Sequence, residues 1–241
     1  MSGTRLALRA IIFDAGGVLL HPSLDWLSAE LAELGVARTR DELHHDYYRM
    51  IYSADLDGSA DPRGMALTTI DVRVGMVKRM LTGVVAAPRI DVVASSLGRR
   101  AAERFPGEGD LWHWAMPGLR DALQLLRVAG FRLGVASNND GSLEGQLAAV
   151  GVTDLFSVRL DSRIEGVAKP DPELLRRAAS RLGVAPDECL YVGDIDRVDG
   201  AAARAAGMAF ALVDPLFQPR PTRPRCLASL GDILDQFVAM Q

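Results

Sequence analysis

From Pro117 to Val213 the chain alternates short apolar runs with amphipathic stretches, and this rhythm restricts the fold more than any other feature. Phe131–Ala136 is followed by a helical stretch over Leu143–Val150, Phe156–Leu160 by one over Pro172–Leu182, and Cys189–Val192 by one over Gly200–Ala206. Ala209–Val213 closes the series. A further helix opens at Pro117-Gly118 and places Leu119, Ala122, Leu123 and Leu126 on one face. Gly130, Gly151, Gly183 and Gly207 stand where the helices should stop. Strands joined through helices by short connections build a parallel sheet covered on both faces. Residues 7–13 supply one more strand, and its apolar run suits a strand buried on both sides. The expected fold is therefore α/β, a doubly wound, mainly parallel sheet.

The segment 21–116 breaks this rhythm. Trp26, Leu27, Leu31 and Leu34 recur at helical spacing up to Gly35, and Leu43, Tyr47, Met50 and Ile51 continue the period until the turn-rich residues 57–62. Thr68–Leu81 and Ile90–Phe105 are further helix candidates. The reading is a helical insertion at 21–116 within a core formed by 1–20 and 117–241. Asp161–Lys169 reads as a polar loop, the four prolines of Pro215–Pro224 as another, and Leu230–Met240 holds a last helix.

Composition narrows the function classes. With 49% apolar and 24% charged residues and a net charge of −4, the 241-residue chain is ordinary globular protein with no sign of a nucleic-acid partner. Cys189 and Cys226 are too few for a disulfide framework. No apolar run approaches the roughly 18 residues of a membrane span, and no leader precedes the first strand, so the expected location is the cytoplasm. The oligomeric state cannot be read. The chain has 25 Arg but only two Lys, Lys78 and Lys169, so each lysine raises a chemical question.

Polar residues stand at the ends of the predicted strands: Asp14, Ser137, the Lys169 loop, and Asp194 with Asp199. In a parallel sheet these ends lie along one edge, where open α/β sheets bind ligands. Carboxylates gathered there repel one another unless a cation joins them, and hard oxygen ligands suit Mg²⁺. A carboxylate nucleophile, a divalent ion and a lysine suit in-line phosphoryl transfer. Blander roles compete: Asp14 as a turn residue, Lys169 as a surface charge, Asp199 as a cap for the helix at Gly200. Asp196 reads as a surface loop residue.

These segments resemble the haloacid dehalogenase (HAD) superfamily. Phe13-Asp14-Ala15-Gly16-Gly17-Val18-Leu19 is similar to its first motif, Gly134–Asn138 to the second, Ser162–Pro172 to the third, and Val192–Asp199 to the fourth. The match covers 7–20 and 117–213, in order. It implies a Rossmann-like core, a first-type helical cap over 21–116, and a Mg²⁺-dependent hydrolase acting through an aspartyl-phosphate on a small phosphorylated metabolite. Asp14 would be the nucleophile. Asp14, the carbonyl of Gly16, Asp194 and Asp199 would serve the metal, while Ser137, Asn138 and Lys169 would grip the phosphoryl group.

One position departs from the pattern. The family's phosphatases carry a second Asp, an acid–base group, where this chain has Gly16. General acid–base help is worth about 10²–10⁴-fold. Three readings follow. The leaving group needs no proton, as in acyl or aryl phosphates and phosphoanhydrides, or another residue substitutes, from His21, Asp25, His44, His45, Asp46 and His113. Alternatively the enzyme cleaves C–P or C–halogen bonds, the former with Lys78 as a Schiff base. Finally, the site binds and turns over slowly in a regulatory role.

Overall fold

A computed structural model describes residues 8–58, 70–105, 111–222 and 224–238. Six parallel strands form one sheet in the order β3-β2-β1-β4-β5-β6. They are β1 (Ala10–Phe13), β2 (Arg132–Ser137), β3 (Val158–Asp161), β4 (Cys189–Gly193), β5 (Ala209–Val213) and β6 (Arg225–Leu227). The order runs outward from β1 in both directions, so β1 and its neighbours frame the switch point where such sheets place their ligands. Asp14 N donates to Val192 O at 2.8 Å, carrying the β1–β4 ladder to the first residue beyond the strand.

Alternation along β1 builds two cores. Ile11 and Phe13 pack on the face of α5 (Leu119–Val128), with Leu123 and Leu126 buried there. Ala10 and Ile12 face the other side, with Leu174, Leu175 and Ala178 of α8 (Glu173–Leu182). Each such buried aliphatic side chain contributes about 1.5–3 kcal/mol. The short helices α6 (Leu143–Ala149) and α9 (Ala201–Ala206) complete the layers. Both cysteines are free thiols.

Between β1 and α5 lie four helices, α1 (Leu24–Glu33), α2 (Arg40–Asp57), α3 (Ile70–Leu81) and α4 (Ala87–Arg104), packed on one another. Thr39 and Glu42 form a reciprocal capping box that starts α2, and Gly58 at φ 73° ends it. Residues 59–62, the start of the expected helix at Thr68, and Met240 lie outside the described residues.

Two expectations are corrected and one strand is added. Asp161 is not in a loop but closes β3, where its carboxylate accepts from Arg163 N (3.0 Å) and starts α7 (Ser162–Glu165). The last helix is a single wide turn at Leu234–Val238. Strand β6, which follows the proline-rich loop and which no expectation covered, pairs Ala211 with Arg225, Leu212 with Cys226 and Val213 with Leu227 at the sheet's edge.

Candidate active site

Asp14, Asp194 and Asp199 each bring a carboxylate oxygen to within 4.8 Å of the others. They arrive from the ends of β1 and β4 because a parallel sheet aligns its carboxyl ends. Asp194 and Asp199 are buried, whereas the Asp14 side chain keeps 13% of its surface open. Gly17 and Gly193 make this crowding possible. At Gly17, φ +71°, an added Cβ would fall 1.9 Å from Asp194 Oδ2 and 2.9 Å from the hydroxyl of Tyr47. At Gly193 it would fall 2.4 Å from Asp199 Cγ.

Lys169 is the one cation in this cluster and is 1% exposed. Its ammonium reaches Asp14 Oδ1 at 2.9 Å, Asp199 Oδ1 at 2.7 Å and the Tyr191 hydroxyl at 2.7 Å. Tyr191 in turn donates to Ala136 O at 2.9 Å, so it accepts from the lysine. Asp199 Oδ2 accepts from the backbone N–H groups of Asp194 (3.1 Å) and Ile195 (3.0 Å). That is not the helix cap considered from sequence, since these amides precede the helix. Ser137 is hydrogen-bonded to Asp14, and Ala15 N donates to Asp14 Oδ1 at 2.8 Å. Asn138, expected at the phosphoryl group, instead fixes the backbone of Lys169. Its side-chain amide donates to Lys169 O (2.9 Å) and accepts from Lys169 N (2.8 Å).

The electrostatics are those of a site one cation short. Burial raises the Asp14 carboxyl above its ordinary range, opposed by Lys169 and reinforced by Asp199. Burial, Asp199 and Asp14 push Asp194 up much further. Burial would lower the Lys169 ammonium, but Asp14 and Asp199 outweigh it and hold it above its usual value. Three oxygen donors, two of them buried, with excess negative charge fit a hard divalent cation of the Mg²⁺ type.

Other expected residues lie elsewhere. Asp196 is buried, not a surface residue: Arg204 Nη1 meets its Oδ1 at 2.8 Å and Thr222 donates to its Oδ2. Asp46 is tied to Arg38 and Arg49, and Asp25, His45 and His113 are exposed. His21 is fully buried and pushed down to about 3 by burial, then by His44, so at neutral pH it has no imidazolium proton to give. Lys78 pairs with Asp91 at 2.7 Å on the exposed sides of α3 and α4.

Three neighbours of the site carry no motif. Tyr191 reads as one more buried strand residue, and only the need of its hydroxyl for a partner singles it out. Tyr47 follows the helical apolar period, yet burial first, then Asp194, raises its hydroxyl far above the ordinary value. Trp112 stands over Gly16, its ring 3.7 Å from where a Cβ would be. An indole from the far end of the helical segment thus lies at ordinary contact distance from that position and leaves room for a Cβ.

Comparison with known proteins identifies the family. The family described as haloacid dehalogenase-like hydrolase matches residues 8–207. A phosphatase of Mycobacterium tuberculosis (strain CDC 1551 / Oshkosh) is 32% identical over 243 residues, 95% of this chain and 98% of its own length. The phosphoserine phosphatase of Thermus thermophilus is 34% identical over 114 residues, 47% of this chain and 46% of its own. Among solved structures, a HAD phosphatase from Thermococcus onnurineus superposes with a TM-score of 0.59 at 21% identity, covering 95% of this chain and 97% of that one. A 2-haloacid dehalogenase from Pseudomonas syringae gives 0.56 at 22%, covering 96% and 98%. These two share the fold. The chain belongs to the haloacid dehalogenase-like hydrolases.

Proposed function

We propose that this hydrolase is a Mg²⁺-dependent phosphatase that works through an aspartyl-phosphate on Asp14 and takes small phosphorylated metabolites whose leaving group departs without a proton. The observation that carries this reading is the cluster of three carboxylates around one buried lysine, with Asp14 alone reaching solvent. Asp14, Asp194 and the Gly16 carbonyl would hold the ion, supported by Asp199; when bound, it neutralises phosphoryl charge. Asp14 attacks phosphorus in line and the leaving oxygen departs with the bond's electron pair. Water then attacks the acyl phosphate, releasing phosphate and restoring the carboxylate. Ser137 and Lys169 donate to the phosphoryl oxygens, and Asn138 keeps Lys169 in place. α1–α4 and the connection that leads back to α5 act as the cap that shelters the site, α2 bringing the Tyr47 hydroxyl and the connection the Trp112 ring to it.

Phosphonate cleavage through Lys78 is disfavoured by its exposed pairing with Asp91. Dehalogenation leaves three crowded carboxylates without purpose. The test is a comparison of kcat/KM for acetyl phosphate and 4-nitrophenyl phosphate against glucose 6-phosphate. The activated substrates are expected to lead by about 10²-fold or more, the low end of general acid–base help. The reverse order would show that another group supplies the proton. Failure to trap labelled phosphate on Asp14 in a single turnover would remove the covalent step, and no turnover of any of the three substrates would leave a binding role.

A further inference from the structure

α2 ends against its own electrostatics. Its last turn holds Asp55 and Asp57 and no basic residue, although the carbonyl end of a helix disfavours carboxylates. Asp57 is exposed and lies 3.9 Å from Arg79, whereas Asp55 is buried. What places Asp55 there is the loop after β4. Its four consecutive N–H groups from Asp194 to Arg197 are taken by two carboxylates. Asp199 accepts from the first two, and Asp55 from Asp196 N at 3.2 Å and Arg197 N at 2.9 Å. The Arg197 guanidinium returns a bond to Leu56 O at 2.9 Å, one of the last carbonyls of α2, which lack a partner within the helix. The core fixes the side chain of Asp196 through Arg204 and Thr222, but the two amides are held from α2. Two turns earlier on the same face, Tyr48 donates to Gly17 O at 2.7 Å. One helix of the inserted segment therefore grips both the loop after β1 and the loop after β4.

We propose that Asp55 is a positioning residue for the divalent ion: it touches neither metal nor substrate, and it keeps Asp194 in the carboxylate cluster by fixing the backbone that follows it. This rests on the Mg²⁺ reading above. Released from Asp55, the segment between Asp194 and Asp199 loses half of its amide partners, and Asp194 is free to leave Asp14. Groups that orient a metal ligand from behind are typically worth about 10–100-fold in metal affinity. Coupling of this kind is reciprocal, so the bound ion tightens the bonds to Asp55 by the same factor.

The test is calorimetric titration of the whole protein with MgCl₂. Asp55→Asn turns one of the two accepting oxygens into a donor and should raise the dissociation constant about 10–100-fold. Asp214→Asn removes the same charge from the same ionic cluster, but Asp214 holds the amides of Leu216 and Gln218, off the metal loop, so the constant should stay as it is. In the native chain, saturating MgCl₂ should slow hydrogen exchange at the Asp196 and Arg197 amides by the factor seen in Asp55→Asn, and at Leu216 and Gln218 by less. That readout stands if Asp55→Asn does not fold. Native Mg²⁺ affinity in a folded Asp55→Asn, an equal loss in Asp214→Asn, or equal slowing of the two amide pairs overturns the proposal. A native chain that takes up no Mg²⁺ overturns the metal reading itself, and this inference with it.

Discussion

Two buried ionic clusters follow the carboxyl ends of β4 and β5, and they differ in how charge is balanced. In the first, Asp14, Asp194 and Asp199 share Lys169 alone. In the second, Asp55 of α2, Asp196 and Asp214 share Arg220 and Arg204. There the backbone helps as well: Asp55 accepts from the N–H groups of Asp196 (3.2 Å) and Arg197 (2.9 Å), and Asp214 from those of Leu216 (3.1 Å) and Gln218 (3.1 Å). The second cluster, three carboxylates to two guanidiniums, comes closer to balance and fastens α2 to the sheet, with Tyr52 adding a bond to Pro219 O at 2.8 Å. The first, three carboxylates to one ammonium, leaves more negative charge unmatched. A cluster near balance holds structure together, whereas one further from it is built around something still to arrive.

This contrast can be attacked with paired substitutions. The largest effect is expected from Asp14→Asn, which should lower kcat by about 10⁴-fold or more while circular dichroism shows an unchanged fold. Arg220→Met leaves Asp55 and Asp214 buried without their shared cation and should cost about 3–5 kcal/mol in urea unfolding. A loss under 1 kcal/mol, on the order of an exposed pair, would erase the distinction between the clusters. Gly16→Asp should gain about 10²-fold on glucose 6-phosphate, because a Cβ there meets the Trp112 ring only at ordinary contact, 3.7 Å. No gain would show that the missing acid–base group is not what limits that substrate.

The smallest effect has the most informative sign. Asp14 and Asp194 bind protons more tightly in the folded than in the unfolded chain. Their contribution to stability is therefore fullest below the unfolded carboxylate value, about pH 4, and is lost as pH rises through the raised folded values. In EDTA near neutrality, Asp194→Asn should thus be more stable than the native chain, read as a higher urea midpoint. Millimolar MgCl₂ should reverse the order by stabilising the native chain, about 2.7 kcal/mol when the ion is a hundredfold above its dissociation constant. A destabilised Asp194→Asn in EDTA would mean that the first cluster is as self-sufficient as the second.

What can be read from the sequence follows from range. β1, β4 and β5 are continuous apolar runs and β2 and β3 are mostly apolar, and Asp14, Ser137, Lys169 and Asp194 sit at or just beyond strand ends where a parallel sheet must gather them. β6 escapes notice because three residues after a proline-rich stretch carry no period. α7 escapes because its capping signal, Asp161, reads equally well as loop. Asp196 reads as a surface residue for want of its partners: Arg204 is close in sequence, but Thr222 is brought in by the fold. Asp55 and Arg220 are 165 residues apart, and no local rule joins them. Trp112 over Gly16 is the same kind of relation. A gap in a motif is visible in one chain, but what stands beside it is visible only in three dimensions.

The Lys169 ammonium has three hydrogens and already has three acceptors, Asp14, Asp199 and Tyr191. In the proposed chemistry an incoming phosphoryl oxygen finds no spare hydrogen there until one acceptor lets go. Esterification of Asp14 does this by itself, since the acylated oxygen no longer carries a full negative charge. The handover would be timed by the reaction, so the lysine's hold tightens as the new bond forms rather than when the substrate docks.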